Sequence, residues 1–172
     1  LNSGISFSLS TELEYELAER LTEIVPCAEM VRFGKNGTDA TTGAIRVARA
    51  ATGRDRVAVC GYHGWQDWYV GSISRNKGVP ATVAALTHRV PYGDLDAVDQ
   101  MLSRHRSEFA ALIMEPMTTT APEPGYLSAL KALVHSHGAL LIFDEIITGF
   151  RYALGGAQEL FGVTSDITAM GK

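Results

Sequence analysis

The chain has 172 residues, 46% of them hydrophobic and 20% charged, and a formal net charge of −4. That is enough for one domain with a real core, short for two, and of ordinary globular composition. No apolar run approaches the roughly 20 residues that cross a membrane, and no dominant basic stripe favours nucleic acid. The opening LNSGISFSLS lacks the basic and apolar regions of a secretory signal. Cys27 and Cys60 form neither a zinc pattern nor a disulfide framework. A reducing, cytoplasmic setting is therefore expected, or else a true start that lies upstream.

In chain order, STELEYELAERLTEIV reads as an amphipathic helix with Leu13, Leu17, Leu21 and Ile24 on one face and Ser10 or Thr11 as N-cap. EMVRF reads as a strand and GKNG as a turn. Thr38 to Ala51 reads as a helix with the stripe Ala40, Ala44, Val47 and Ala51, stopped by Gly53. Arg46, Arg49, Arg54 and Arg56 read as a solvated helix face and the turn after it. RVAVC is a strand, and residues 66–92 are loop-rich. DLDAVDQMLSRH is a helix, FAALIM a buried strand, GYLSALKALVHSHG a helix and ALLIF another buried strand. His135 and His137 read as charge at the end of that last helix. The short AQELFG helix and the strand DITAM close the chain.

Strands that alternate with helices and are apolar throughout predict an α/β fold, a mostly parallel sheet with helices on both faces. Ligands of such sheets collect beyond the carboxyl ends of the strands. There the sequence offers Gly34 to Thr38, then Gly61-Tyr62-His63, Glu115, Asp144-Glu145 and Gly171-Lys172. A glycine turn at a helix N-terminus suits a phosphate, and Thr38 adds a hydroxyl. Tyr62 can lie against a planar ring. Two acids ending a buried strand can serve a nucleotide hydrolase, bind a metal or pair with a ring nitrogen, or simply cap the strand. No G-x-x-x-x-G-K-[ST] loop accompanies them, which counts against an ATPase fragment. No His or Cys lies close in sequence to complete a metal site. A lysine on the same edge can form a Schiff base with an aldehyde. Phosphate cradle, ring stacker, ring-nitrogen acid and Schiff-base lysine together describe a site for pyridoxal 5′-phosphate.

The stretches VRFGKNGTDAT, AIRVARAATGRDRV, YHG, ALIMEP, LLIFDEIITGFRYALGGAQELFGVTSDIT and MGK resemble class III aminotransferases of fold type I. Within that group the chain is most similar to the glutamate-1-semialdehyde aminomutases. The resemblance implies that Gly37 and Thr38 bind the cofactor phosphate and that Tyr62, with His63 adjacent, stacks on the ring. It implies that Asp144 pairs with the ring nitrogen, that Ile146 packs on the opposite face and that Lys172 carries the Schiff base and moves the proton. Glu115, Glu145 and Arg151 are expected to support these groups. The resemblance also implies a small-molecule amino donor and carbonyl acceptor, and a homodimer with a shared site. Residues 1–172 would be the central part of the large domain. The family's N-terminal segment and small C-terminal domain would lie outside this sequence, and such a piece alone is expected to be inactive. Asn36 and Asp39 replace the family's usual serine and glutamate and keep polarity. WQDWYVGSISRNKGVP is shorter than the aminomutase loop, and MTTTAPEPGYL lacks its asparagine-glycine pattern. Both departures touch substrate handling, so an aminotransferase acting on another substrate is expected, with the aminomutase as the alternative. A P-loop-type ATPase fragment is a third reading and a non-catalytic piece a fourth.

Overall fold

The computed structural model describes residues 9–172. The first eight residues, read above as part of a segment without a secretory signal, lie outside the described residues. The elements are α1 (Glu12–Ile24), α2 (Gly37–Thr52), β1 (Arg56–Cys60), α3 (Asp67–Val70), α4 (Ala81–Ala84), β2 (Thr87–Arg89), α5 (Leu95–Arg104), β3 (Phe109–Met114), α6 (Tyr126–Ser136), β4 (Leu140–Glu145), α7 (Ala157–Phe161) and β5 (Ile167–Met170). The strands form one sheet in the order β2-β1-β3-β4-β5, and every pairing among the described residues is parallel.

The sheet buries both faces, as apolar strands without alternation require. Ala58, Cys60, Leu112, Met114, Leu141 and Phe143 meet Val98 and Leu102 of α5 and Leu127, Leu130 and Val134 of α6 on one face. Val57, Val59, Ala111, Ile113 and Ile142 meet Ala44, Ile45 and Ala48 of α2 and Trp68 and Tyr69 of α3 on the other. Each fully buried Leu, Ile or Phe contributes about 1.5–3 kcal/mol of apolar burial.

Several local expectations are corrected. EMVRF is not a strand: no ladder pairs it among the described residues, and Met30 is 90% exposed. Composition alone cannot make a strand without a neighbour to bond. In α2 the buried stripe is Thr38, Thr41, Ala44, Ile45 and Ala48, while Val47 is 57% exposed. The helix is rotated from the all-apolar stripe because the two buried threonines find hydroxyl partners. In α1, Thr11 is the cap, in a reciprocal box with Glu14, yet none of its residues is buried. Residues 66–92 hold α3, α4 and the edge strand β2, whose three residues are too few for a periodic signal.

The arginines are not merely solvated. Arg54 donates to the carbonyls of Phe109, His137 and Gly138, tying the start of β3 to the end of α6. Arg56 pairs with Glu108 and donates to the Ala85 carbonyl. His135 and His137 also have acids, Asp166 and Asp99, each at 2.8 Å. These partners come from distant positions that spacing could not reveal.

Candidate active site

The parallel register delivers the site. Ala169 stands beside Asp144 and Met170 beside Glu145, so Gly171-Lys172 emerges next to the acidic end of β4. Gly61 to His63 leave β1 on the same edge, and Glu115 follows β3. Gly37 and Thr38 open α2, which packs against β3, β4 and β5. All the sequence-predicted positions therefore share one rim.

The rim is closely built. Gly37 faces Ile146: a Cβ on Gly37 would lie 3.2 Å from Ile146 Cδ1, and one on Gly171 would lie 3.3 Å from the same atom. Ile146 thus sits between the start of α2 and the end of β5. Asn36 caps α2 by accepting the Asp39 N–H at 3.0 Å, which leaves the first N–H groups, those of Gly37 and Thr38, for another acceptor. The Thr38 hydroxyl accepts the Trp65 N–H at 3.2 Å, so its own proton remains to be donated. Gly64 has φ +107°, and a Cβ there would overlap the Thr38 hydroxyl. Only glycine lets the chain pass so close to that helix start.

Asp144 is 5% exposed and His63 is 1% exposed. Asp144 Oδ2 lies 2.8 Å from His63 Nδ1, and Asp144 Oδ1 accepts the Ile146 N–H at 3.2 Å. Two of the carboxylate's roughly four acceptor positions are so filled. Tyr62 is 63% exposed, and its ring meets Tyr69 edge to face at 5.4 Å. Lys172 is exposed on the same rim, two residues past β5.

Supporting residues complete the frame. Glu115 accepts the Tyr62 N–H at 3.3 Å. Glu145 is fully buried and accepts from the Thr148 hydroxyl at 2.9 Å, the Gln158 amide at 3.1 Å and the Ala157 N–H. Arg151 Nε turns back to the Ile147 carbonyl. Sequence reasoning missed Thr41, whose hydroxyl donates to the His63 carbonyl at 2.9 Å, and Tyr69, whose hydroxyl donates to the Gly61 carbonyl at 2.9 Å. Burial pushes the Cys60 thiol up to about 11, with Glu115 adding to the rise. A neutral thiol is a poor nucleophile, so Cys60 belongs to the frame.

Known proteins share this sequence and fold. The family model described as Aminotransferase class-III matches residues 3–172. The 3-aminobutyryl-CoA aminotransferase of Cloacimonas acidaminovorans is 43% identical over 177 residues, covering 99% of this chain and 42% of that protein. A glutamate-1-semialdehyde 2,1-aminomutase of Roseiflexus castenholzii is 47% identical over 185 residues, covering 98% of this chain and 42% of that protein. A solved transaminase with PLP bound superposes with a TM-score of 0.89 at 33% identity, covering 99% of this chain and 43% of that one. The chain thus spans less than half the length of these relatives. Within that span, it belongs to the class III aminotransferase family.

Proposed function

We propose that residues 1–172 supply the central part of the large domain of a pyridoxal phosphate-dependent aminotransferase, which passes an amino group to a carbonyl acceptor. The observation that carries this reading is the buried Asp144 carboxylate, with acceptor capacity to spare, on the rim from which Lys172 emerges. The residues present fit the cofactor. The free N–H groups of Gly37 and Thr38 and the Thr38 hydroxyl suit its phosphate. The exposed Tyr62 ring offers a stacking face, and Ile146 an apolar one.

When bound, pyridoxal phosphate supplies an aldehyde for the amine and a protonated ring that draws off the electron pair left on the substrate carbon. Asp144 would hold the proton on the ring nitrogen, since a buried carboxylate pairs strongly with a cation. Lys172 would hold the cofactor covalently and, once freed, carry the proton to and from the substrate carbon. His63 would act behind Asp144, because its ring is buried and turned to that carboxylate.

The aminomutase is the second reading. The alignment with that relative runs over 185 positions, longer than the 172 residues of this chain and longer than the 177 positions of the aminotransferase alignment. The aminomutase therefore carries more residues without a counterpart here, while its identity to this chain is the higher, 47% against 43%. Product analysis on the full-length protein separates the two. Glutamate-1-semialdehyde without an amino donor should give no useful rate of 5-aminolevulinate, and a useful rate would establish the mutase.

The exposed side chains of Ile147, Phe150, Tyr152 and Leu154, which follow β4 in sequence, support a homodimer in which a second copy covers them and completes the site. No helix among the described residues is long and apolar enough to cross a membrane. The free cysteines Cys27 and Cys60 are consistent with a reducing cytoplasm.

A further inference from the structure

Tyr69 is the buried counterpart of the exposed Tyr62. It lies in α3 and is 3% exposed, against 63% for Tyr62. The two ring centroids are 5.4 Å apart and the ring planes 82° apart, the perpendicular arrangement that aromatic quadrupoles favour. Whichever ring presents its edge, such a contact leaves a face of Tyr62 open. The backbone N–H of Tyr62 donates to Glu115 at 3.3 Å. That fixes the main chain but not the turn of the ring about its side-chain bonds. Among the described residues, Tyr69 is the aromatic ring that meets Tyr62.

Tyr69 itself is fastened on several sides. Its hydroxyl donates to the Gly61 carbonyl at 2.9 Å and accepts from Arg89 at 3.4 Å. The neighbouring Trp68 donates from Nε1 to the Thr42 hydroxyl of α2 at 2.9 Å, and its carbonyl accepts from Thr87 of β2. The short α3 is thus tied to the exit of β1, to β2 and to α2. Filling the core explains why Tyr69 is buried. It does not explain why hydroxyl and ring both act on one dipeptide, Gly61-Tyr62, the turn by which the chain leaves β1 at φ +112°.

We propose that Tyr69 is a positioning residue: anchored to Gly61 through its hydroxyl, it uses its ring to set the plane of Tyr62, against which a planar cofactor stacks. The inference deepens the reading of Tyr62 as the stacking ring and rests on it for its functional meaning. A side chain already held in place loses less rotamer freedom when its ligand arrives. Tyr62 is free to face solvent, so without Tyr69 that ordering would fall on the binding step.

The test uses the full-length protein in two states. Free of cofactor, ring-proton NMR with labelled tyrosine should show a through-space contact between Tyr62 and Tyr69, with Tyr62 identified by the signals lost in Tyr62→Leu. Wild-type protein without that contact overturns the proposal, whether or not any Tyr69 variant folds. Loaded with pyridoxal phosphate, Tyr69→Leu should weaken cofactor affinity roughly 2- to 10-fold, the range that an aromatic pair spans. It should also alter the circular dichroism of the cofactor's visible band. Tyr69→Phe keeps the ring and should keep most of the affinity; Tyr69→Met takes the place of the leucine variant if that one does not fold. The pair of variants separates positioning from mere packing. Because Tyr69 acts through Tyr62, Tyr69→Leu should add little to the loss already caused by Tyr62→Leu. Losses that add in full, or wild-type affinity and dichroism in Tyr69→Leu, would overturn the positioning role. A ring contact in protein that does not bind pyridoxal phosphate would instead sink the cofactor reading, and with it the role of Tyr69, while leaving the contact itself.

Discussion

Two histidines of this chain sit in opposite chemical settings, and the partners decide which. His63 faces only acceptors, whereas His88 Nε2 lies 2.8 Å from Arg56 Nη1, a group that can only donate, so the His88 ring there is neutral. Burial holds His88 below its ordinary range, and the charges of Arg56 and His105 push the same way against Glu108. The sign follows directly. Above about pH 6.5 the ring is neutral folded or unfolded, and its contribution is fully present. Below that the unfolded chain takes up the proton first, so stability falls until the pH passes the lowered folded value. Thermal unfolding from pH 7 downward should show this slope, and His88→Gln should flatten it; an unchanged slope would refute it. At the site, Asp144→Ala should retain weak cofactor binding but lose roughly 100-fold or more in kcat, the scale of a lost preorganised electrostatic contact. Steady-state kinetics on the full-length variant reads this, and turnover near wild type would remove Asp144 from its role.

At the scale of elements, the frame of the site is a set of close approaches and buried carboxylates. Gly64→Ala places a Cβ at φ +107° into the Thr38 hydroxyl. It should cost about 1–3 kcal/mol, measured as a lower Tm, with the start of α2 displaced. Glu145→Leu strands the donors of Thr148, Ala157 and Gln158 in a buried place. Each lost partner costs about 1–3 kcal/mol, so a fall in Tm larger than that of Gly64→Ala is expected; no fall would contradict the role given to Glu145. Much of this frame was legible in advance. RVAVC, FAALIM and ALLIF are apolar without alternation and must lie inside a covered sheet, and the helix started by Asp94 carries its own cap. What stayed hidden depends on partners distant in sequence. Thr41 lies outside the stripe Ala40, Ala44, Val47 and Ala51, and only the fold brings its hydroxyl to the His63 carbonyl, 22 residues away. Arg54 looks solvated until it bridges to carbonyls more than 50 residues on. EMVRF has the composition of a strand but no neighbouring ladder, and composition cannot supply one.

At the scale of the molecule, parallel register does the assembling. Each strand ends on the same rim, so residues spread from Gly37 to Lys172 gather without any long loop reaching across. After β4 the chain leaves the side chains of Ile147, Phe150, Tyr152 and Leu154 exposed. Sedimentation of the full-length protein should show a dimer, and charged substitutions at Phe150 and Leu154 should shift it toward monomer with loss of activity. Everything proposed for this rim turns on Lys172 holding pyridoxal phosphate. The most direct measurement is borohydride reduction of the loaded full-length protein, followed by peptide mass analysis. The reduced cofactor should appear on the peptide containing Lys172 and be lost in Lys172→Ala. Cofactor found on another lysine, such as Lys35, Lys77 or Lys131, or trapping that survives Lys172→Ala, would contradict it.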